Sequence, residues 1–307
     1  MKEMILNGKK TKVFKTNFHT HTTTSDGMHD PAEMCCLYDM AGYDAVALTD
    51  HHKTNKISEL QKLIKKEHGA KITLISGIEL HPTGPRGIPW HILVLGVPED
   101  FPGKYKTGFA AAQAARDAGA LVFAAHPYWC GLTSAEVAEL GDITGTEVYN
   151  SSCRYIGKEY NMNNWDELLD AGSRPGWALA VDDCHNPGTF GMGWTMVAAK
   201  KCTPEALLKA VREGQFYSTE GPEFTRIEVK DGRFIAEFSP ATTAVLVGKR
   251  ASGHCETAPR WPLPGNEKGI VTSMDVDLSH FQPGSYIRCQ IKDANGKMAW
   301  SMPYFIE

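Results

Sequence analysis

The chain has 307 residues, of which 42% are hydrophobic and 22% are charged, so it can bury a substantial core. Its formal charge of −4 is too small to indicate a surface that binds duplex nucleic acid or another polyanion. The first ten residues lack the apolar stretch of a secretory signal, and the sequence has no run of about 18 apolar residues. We therefore expect a globular cytoplasmic protein that neither enters a membrane nor binds duplex nucleic acid.

Cysteine and histidine are distributed differently along the chain. The eight cysteines are scattered and lack CxxC spacing, so we expect reduced thiols. Ten of the twelve histidines lie between His19 and His185, several of them beside carboxylates. Because histidine is the commonest metal ligand, this concentration indicates a metal site.

Short β-rich runs alternate with helical patterns from residue 12 to about residue 221, which is typical of βα units around a parallel sheet. Seven or eight such strands can close on themselves, so the pattern predicts an α/β barrel. The predicted strands cover residues 13–20, 45–50, 72–80, 91–96, 121–126, 146–150, 178–183 and 196–199.

Two of the predicted helices have readable ends. Asp30 and Glu33 have the spacing of a capping box, and Gly42 is placed to end the helix that they begin. Thr203 is placed to cap the last helix of the barrel, which Gly214 ends.

The last part of the chain changes to alternating strand patterns. Asp-Gly at 231–232 and Asn-Gly at 295–296 are typical of tight hairpin turns. Residues 251–269 are rich in Pro and Gly and predict a loop. We therefore expect a barrel domain over residues 1–221 and a small antiparallel β module over residues 222–307.

Nine side chains with ligand nitrogen or oxygen atoms lie at or near the ends of the predicted strands. His19 and His21 are two residues apart on an extended segment, so their rings point to the same face. The carboxyl ends of barrel strands form the active-site face, and among the histidines that border strands only His91 begins its run instead of ending it. The candidates are His19, His21, Asp26, His51, Glu79, His91, His126, Asp183 and His185.

Nine ligands are more than one ion needs, since zinc usually takes four. We therefore expect two or three divalent ions of Zn, Mn or Fe. A carboxylate such as Glu79 or Asp26 can bridge neighbouring ions. Such a cluster makes hydroxide at neutral pH and clamps a phosphoryl or carbonyl oxygen, which indicates a hydrolase.

Six motifs carry a resemblance to a known family; in chain order they are HTHTTTSDG, ALTDHH, GIEL, HILVLG, AAHP and VDDCH. Over roughly residues 17–200 the chain resembles the PHP (polymerase and histidinol phosphatase) superfamily, which implies a distorted, TIM-like (β/α)7 barrel. EVYN, NWDELLDAG and VDDCH together most resemble the branch of metal-dependent phosphoesterases that also contains carbamate and amide hydrolases.

The resemblance also implies how the candidate ligands are shared among the ions. His19, His21, Glu79 and Asp183 would hold one ion, Asp26, His51 and His185 a second, and Glu79, His91 and His126 a third. Many members have histidine where Asp26 stands, which leaves the metal of the second site open. The family usually has a single aspartate before x-His, and here the spacing selects Asp183 over Asp182.

Three residues are assigned catalytic roles. By the resemblance, Asp183 would orient or deprotonate the attacking water, next to His185. Arg154 and Lys158 follow a strand that ends at Asn150, where a guanidinium can contact a phosphate. We take Arg154 as catalytic, although a solvated loop charge explains it equally well.

Three neighbours of the candidate ligands are left outside the reaction. His81 can line the pocket, but Pro82 follows it, and we place it outside the ligand set. Cys184 should point away from the ligands on either side of it, so we expect neither Cys184 nor Cys153 to act as a nucleophile.

These features predict a metal-dependent hydrolase, a phosphoesterase that cleaves a small phosphate ester with metal-activated hydroxide. The first alternative is an amide, carbamate or ester hydrolase with the same metal centre. The second is a noncatalytic metal-binding module, which the complete ligand set argues against. A proofreading exonuclease is disfavoured by the acidic balance and the lack of basic clusters.

Overall fold

The computed structural model describes residues 2–258 and 269–307. Up to residue 221 it contains strands and helices in alternation. The strands are β1 (Lys2–Leu6), β2 (Lys9–Asn17), β3 (Ala45–Leu48), β4 (Thr73–Leu80), β5 (Ile92–Leu95), β6 (Leu121–Ala124), β7 (Gly145–Asn150), β8 (Trp177–Val181), β9 (Trp194–Ala198) and β10 (Phe216–Thr219). The helices are α1 (Pro31–Met40), α2 (Ile57–His68), α3 (Gly108–Asp117), α4 (Pro127–Cys130), α5 (Ser134–Ala138), α6 (Met162–Asp170) and α7 (Pro204–Arg212).

The central sheet mixes parallel and antiparallel pairs. Strands β2, β3 and β4 are parallel, as are β6, β7 and β8, whereas β5 runs antiparallel to both of its neighbours. Strand β9 is antiparallel to β2 and to β10. Between β2 and β8 the described residues contain a single parallel bridge, Thr20 to Cys184, and no continuous ladder. The predicted α/β class is therefore confirmed, but a closed (β/α)7 barrel is not.

The reversed direction of β5 explains the placement of His91. Only eleven residues separate β4 from β5, and they contain no crossover helix of the kind that joins parallel strands. Leu80 at the end of β4 pairs with Ile92 at the start of β5. His91 therefore lies at the carboxyl end of β4.

Both faces of the sheet are buried, as expected where helices cover parallel strands. Phe18, Phe123 and Leu179 belong to one core cluster drawn from several strands and α7. Met34 of α1 and Leu48 of β3 belong to a second cluster, in which helices pack on the strands.

Local capping signals explain the helix starts. Asp30 accepts hydrogen bonds from the backbone N–H groups of Ala32 and Glu33, and the Glu33 side chain completes the predicted capping box. Thr203 caps α7 as predicted. The sequence analysis missed the hairpin of β1 and β2, although its turn is an Asn-Gly pair at residues 7–8, with both residues at positive φ.

The last part of the chain forms antiparallel strands. They are β11 (Phe224–Lys230), β12 (Arg233–Ala241), β13 (Thr243–Gly248), β14 (Gly253–Thr257), β15 (Val271–Asp277), β16 (Tyr286–Lys292), β17 (Met298–Ser301) and β18 (Tyr304–Phe305). The predicted turns at 231–232 and 295–296 join β11 to β12 and β16 to β17. The loop prediction for 251–269 is wrong over β14, whose largely exposed side chains carry no apolar alternation, and residues 259–268 lie outside the described residues.

The C-terminal strands are continuous with the sheet that precedes them. Strand β1 pairs with β11, and β10 pairs with β17. Met4 and Tyr217 share a hydrophobic cluster with Phe234 and Leu246. No helix among the described residues is long and apolar enough to cross a membrane.

Candidate metal centre

The structure brings all nine predicted ligands to one end of the central sheet. His19 and His21 follow β2, His51 follows β3, Glu79 lies near the end of β4, and His91 precedes β5. His126 follows β6, and Asp183 and His185 follow β8. Asp26 reaches the same place from the loop after β2.

That loop is held by a buried aspartate that was not among the predicted site residues. The Asp50 carboxylate accepts hydrogen bonds from the Thr22 backbone N–H at 2.7 Å and from the Ser25 hydroxyl at 2.6 Å. A Cβ atom at Gly27 would lie 2.4 Å from the carbonyl oxygen of His21, so the tight return of the loop needs glycine there. These contacts place Asp26 over the histidines.

Glu79 is the centre of the cluster, and its side chain is only 1% exposed. Its Oε1 lies 2.9 Å from His91 Nδ1 and 3.2 Å from His126 Nε2. Its Oε2 lies 2.9 Å from His51 Nδ1 and 3.4 Å from His81 Nε2. One buried carboxylate therefore faces imidazoles on both of its oxygens.

The Asp183 carboxylate lies close to a second set of histidines. Its Oδ1 lies 3.0 Å from His21 Nε2, 3.3 Å from His19 Nε2 and 3.5 Å from His185 Nδ1. Its Oδ2 accepts a hydrogen bond from Asn150 Nδ2 at 3.1 Å. The same two rings of His19 and His21 each lie 3.3 Å from Glu79 Oε2, so the two carboxylates share them.

Asp26 lies at the mouth of the cluster, where its side chain is 55% exposed. Its two oxygens are 3.4 Å from His51 Nε2 and 3.5 Å from His185 Nε2. The His21 ring lies 4.1 Å from the His185 ring and 4.2 Å from the His51 ring, measured between centroids. These four residues could hold an ion closer to solvent than the one between His19 and Asp183.

Several buried polar atoms of the cluster lack a hydrogen-bond partner among the described residues. They are His19 Nε2, His21 Nε2, His51 Nδ1, Glu79 Oε2 and Asp183 Oδ1. Each ring nitrogen lies 2.9 to 3.3 Å from one of the two carboxylate oxygens, but these pairs do not have the geometry of a hydrogen bond. Buried polar atoms rarely go unsatisfied, and mixed imidazole and carboxylate ligands suit Zn, Mn or Fe. The donor set therefore fits divalent cations.

Burial and the neighbouring charges shift the pKa values of the residues in the cluster. Burial lowers the pKa of His91 to about 4 and also lowers that of His185, so both rings are neutral at pH 7, as a ligand must be. Burial opposes protonation of His21 as well, but Asp183 and Glu79 outweigh it and raise its pKa to about 9. In the protein alone, protonated imidazole balances the carboxylates, and a bound cation would take over that charge.

A backbone feature separates the two neighbouring aspartates. Asp183 has φ of 50°, in the left-handed region, which turns its side chain into the cluster. Asp182 instead accepts hydrogen bonds from the backbone N–H groups of residues 191–193 and from Tyr38 Oη. Burial raises the pKa of Asp182 to about 6. His126, with φ of 27°, is held in a similarly uncommon conformation, and such strain is concentrated at functional sites.

The cavity beside the cluster has a volume of about 270 Å³. It is lined by Asp26, His51, Glu79, His91, His126, Trp129, Ser152, Cys153, Asp183 and His185. Sequence reasoning missed Trp129, which is 43% exposed and whose ring lies 5.2 Å from that of His126. Its only signal was its position three residues after a candidate ligand.

Some residues beside the predicted ligands face the cluster, and others lie away from the cavity. His81 was left outside the ligand set, yet it faces Glu79, because the alternation of β4 continues past Leu80 and puts both residues on one side. Arg154 is exposed and donates from Nη2 to the Gly188 carbonyl oxygen at 2.9 Å. Lys158 lies 5.2 Å from the centre of the Tyr128 ring. Neither cation lines the cavity.

Comparison with known proteins supports the resemblance seen in the sequence. Residues 17–118 match the PHP domain family. An uncharacterized protein of Methanocaldococcus jannaschii is 38% identical over 79 residues, which cover 24% of this chain and 36% of that protein. The match thus spans about a third of the length of that relative. The resemblance to the PHP superfamily is confirmed.

One solved structure has a similar fold. A two-domain protein from Bacteroides vulgatus, described as containing a predicted PHP-like metal-dependent phosphoesterase, aligns with a TM-score of 0.56 and 16% identity over 96% of this chain and 95% of its own. The two chains share their overall fold. An amidohydrolase from Chromobacterium violaceum aligns with a TM-score of 0.45 and 16% identity over 56% of this chain and 88% of its own.

Proposed function

We propose that this chain, which carries a PHP domain over residues 17–118, is a metal-dependent hydrolase that cleaves a small phosphate ester with water. One observation carries the proposal: buried nitrogen and oxygen atoms that lack hydrogen-bond partners in the described part of the chain converge on Glu79 and Asp183. A protein that needed this cluster only for stability would pair these atoms with each other or with backbone groups.

We assign the candidate ligands to two or three ions. His19, His21, Glu79 and Asp183 would hold the first, Asp26, His51 and His185 the second, and Glu79, His91 and His126 the third. The grouping is supported by distance, since His19, His21 and Asp183 each offer an atom within 4.8 Å of the others, as do His21, Asp26, His51 and His185. His81 is an additional ligand candidate beside His51 and Glu79.

Bound divalent ions would lower the pKa of water in the site and offset the negative charge of phosphoryl oxygens. Asp183 is suited to orient the attacking water and accept its proton, because Asn150 fixes one carboxylate oxygen and the residue lines the cavity. His185 donates from Nδ1 to the Asp183 carbonyl oxygen at 2.9 Å, which leaves its Nε2 lone pair directed to Asp26.

Arg154 is proposed to contact the phosphate from the rim. Its contact with Gly188 occupies one guanidinium nitrogen, and a guanidinium has five N–H donors. In this proposal the remaining donors would contact the anion.

A second candidate is hydrolysis of an amide, carbamate or neutral ester. Among the described residues that line the cavity there is neither lysine nor arginine, so a substrate bound there need not be an anion. The same ions would polarise a carbonyl oxygen. The exposed ring of Trp129 offers this kind of substrate an apolar surface.

A substrate panel separates the two candidates. Metal-stripped protein is reconstituted with Zn²⁺, Mn²⁺ or Fe²⁺ and assayed with an aryl phosphate, an aryl carbamate and an anilide. We expect hydrolysis of the phosphate that disappears on chelation. Hydrolysis of the carbamate alone would contradict the phosphoesterase assignment, and no hydrolysis of any member by metal-loaded protein would contradict the hydrolase.

The role of Arg154 has its own test. Arg154→Ala should raise KM for the phosphate ester and leave KM for the neutral carbamate unchanged. Arg233→Ala is the matched control, since Arg233 is an exposed arginine that pairs with Asp275 in the C-terminal strands. Equal effects on both substrates would contradict a phosphate contact.

We also propose that residues 1–221 form the functional unit and residues 222–307 a supporting β module. All nine candidate ligands precede residue 221. The hydrophobic cluster that joins Met4 and Tyr217 to Phe234 supports a packing role for the module. The substrate is then a small molecule bound by the first unit.

A further inference from the structure

A buried carboxylate lies directly beneath the candidate metal centre. Glu147 in β7 is inaccessible to solvent. Its Oε1 lies 2.6 Å from His19 Nδ1, and its Oε2 accepts hydrogen bonds from the His126 backbone N–H at 2.8 Å and from Asn150 Nδ2 at 2.9 Å. Glu147 begins the EVYN motif and was not among the predicted site residues.

An irregularity in β7 makes this arrangement possible. Residues three apart on a regular strand point to opposite faces. In β7 the register with β8 shifts between Glu147 and Tyr149, where Leu179 and Ala180 are consecutive partners. Such a bulge inserts one extra residue, so the Asn150 side chain returns to the side of Glu147.

The contacts of Glu147 extend to three candidate ligands. It touches His19 through the ring and His126 through the backbone, at the residue whose φ is 27°. It reaches Asp183 through Asn150, whose Nδ2 also lies 3.1 Å from Asp183 Oδ2. A single carboxylate is thus connected to the His19 ring, to the His126 backbone and, through Asn150, to Asp183.

We propose that Glu147 is a positioning residue that fixes the proton of His19 on Nδ1 and thereby sets the geometry of the metal centre. With Nδ1–H donated to Glu147, the His19 Nε2 lone pair is directed to Glu79 and Asp183, each 3.3 Å away. Glu147 is not itself a ligand, because both of its oxygens already receive donors from the ligand-bearing segments. The inference rests on metal binding by the proposed hydrolase. Loss of such an outer partner typically weakens metal affinity 10- to 100-fold.

Glu147→Gln tests this role because it keeps the shape of the side chain. If the amide oxygen accepts from His126 and Asn150, its NH₂ group faces His19 Nδ1 and moves the His19 proton to Nε2, the atom that should bind metal. The opposite orientation sets NH₂ against two other donors. Either way, the substitution disturbs the ligands without removing one.

The measurement is Zn²⁺ affinity of the metal-stripped full chain, by competition with a fluorescent chelator, together with the melting temperature of the metal-free protein. We expect Glu147→Gln to weaken the tightest zinc equivalent roughly 10- to 100-fold. Glu220→Gln is the matched control, since Glu220 is also a buried glutamate that accepts a hydrogen bond from a backbone N–H, that of Met298. It should bind zinc as wild type does.

Each outcome decides one question. If wild type binds zinc and Glu147→Gln binds within about threefold of it, the positioning role is wrong, whereas failure of wild type to bind zinc contradicts the proposed function itself. If Glu147→Gln does not fold, Glu147→Asp replaces it, because it keeps the charge but withdraws the carboxylate by one methylene from His19 Nδ1. A zinc affinity of Glu147→Asp equal to that of wild type would then overturn the inference.

Discussion

Two regions of this protein bury polar side chains, and they differ in whether the buried polar atoms have hydrogen-bond partners. At the metal centre, ring nitrogens and carboxylate oxygens of five residues lack hydrogen-bond partners among the described residues. At the contact between α6 and β16, Arg288 is 2% exposed, yet it donates to both oxygens of Asp166 at 2.7 and 2.6 Å and lies 4.5 Å over the Trp165 ring. Paired burial holds α6 and β16 together, whereas the unpaired polar atoms of the cluster have the donor set of a site for divalent cations.

The difference has an energetic consequence. A buried polar atom without a partner costs about 1–3 kcal/mol, so the candidate metal centre lowers the stability of the metal-free protein. The contact of Arg288 with Asp166 has no such cost, because its polar atoms are hydrogen-bonded. Metal removal should therefore lower the stability of the candidate metal centre and leave the Arg288 contact unchanged.

Asp183→Asn should have the largest effect. It keeps the shape of the side chain but removes the charge that would hold an ion and accept a proton from water. Loss of a general base lowers turnover about 100- to 10,000-fold, and loss of ligand charge adds to this. Burial disfavours the Asp183 carboxylate, but His19 and His21 outweigh burial and lower its pKa, so Asp183→Asn should also lower the stability of the metal-free protein at pH 7.

The check is kcat of Asp183→Asn on an aryl phosphate and an aryl carbamate, with the metal content of each preparation measured. More than about a tenth of wild-type turnover on the better substrate would contradict the role of Asp183.

Bound metal should stabilise the protein, and the effect should be largest around the candidate metal centre. We expect more than one equivalent of Zn, Mn or Fe per chain by elemental analysis, and less than one after metal-supplemented expression would contradict a multinuclear site. An ion at 100 times its Kd adds about 2.7 kcal/mol to the free energy of unfolding. By hydrogen exchange, protection should rise around Asp183 and His185 more than in β16.

Arg288→Met should destabilise the protein without changing its metal content. Breaking a fully buried ion pair costs about 3–5 kcal/mol, but the Asp166 side chain is 31% exposed and can be hydrated, so we expect about 2 kcal/mol by chemical denaturation. Arg233→Met breaks the exposed pair with Asp275 and should cost at most about 0.5 kcal/mol. Loss of metal in Arg288→Met would show that the two regions are coupled.

The sequence predicted those parts of the site that depend on local spacing. His19 and His21 share a face because extended residues alternate, and Asp30 begins a helix because its partners are three residues away. Most candidate ligands could be found in the same way, since they end or follow a recognisable apolar run, whereas His91 begins its run and Asp26 lies in a loop. These inferences need no knowledge of which strands are neighbours.

The features that could not be predicted depend on distant contacts. The direction of β5, which brings His91 to the centre, follows from a chain reversal. The bulge that pairs Glu147 with Asn150 appears only against β8. Between β2 and β8 the described residues contain only the bridge from Thr20 to Cys184, which joins segments more than 160 residues apart. No periodicity in the sequence encodes these pairings.

The smallest expected effect belongs to Glu220, a buried glutamate in the satisfied region. It accepts hydrogen bonds from Tyr160 Oη at 3.0 Å and from the Met298 N–H at 3.1 Å, with Lys297 Nζ 3.4 Å away. Burial raises its pKa above the ordinary value of 4.5 despite Lys297. The folded chain therefore binds this proton more tightly than the unfolded chain does.

The sign of the pH dependence follows from that difference. As pH rises from about 4.5 through the raised pKa in the folded protein, ionisation of Glu220 removes free energy of unfolding, and the loss is complete once the pH has passed the folded-state pKa. Glu220→Gln stays neutral and keeps one acceptor oxygen, so it should match or exceed wild-type stability at pH 7 by up to about 1 kcal/mol. Denaturation of both metal-free proteins at pH 5 and pH 7 should show a smaller pH dependence in the variant. Destabilisation of Glu220→Gln by more than about 2 kcal/mol at pH 7 would mean that this region depends on the charge of Glu220, and that pairing with Lys297 outweighs burial.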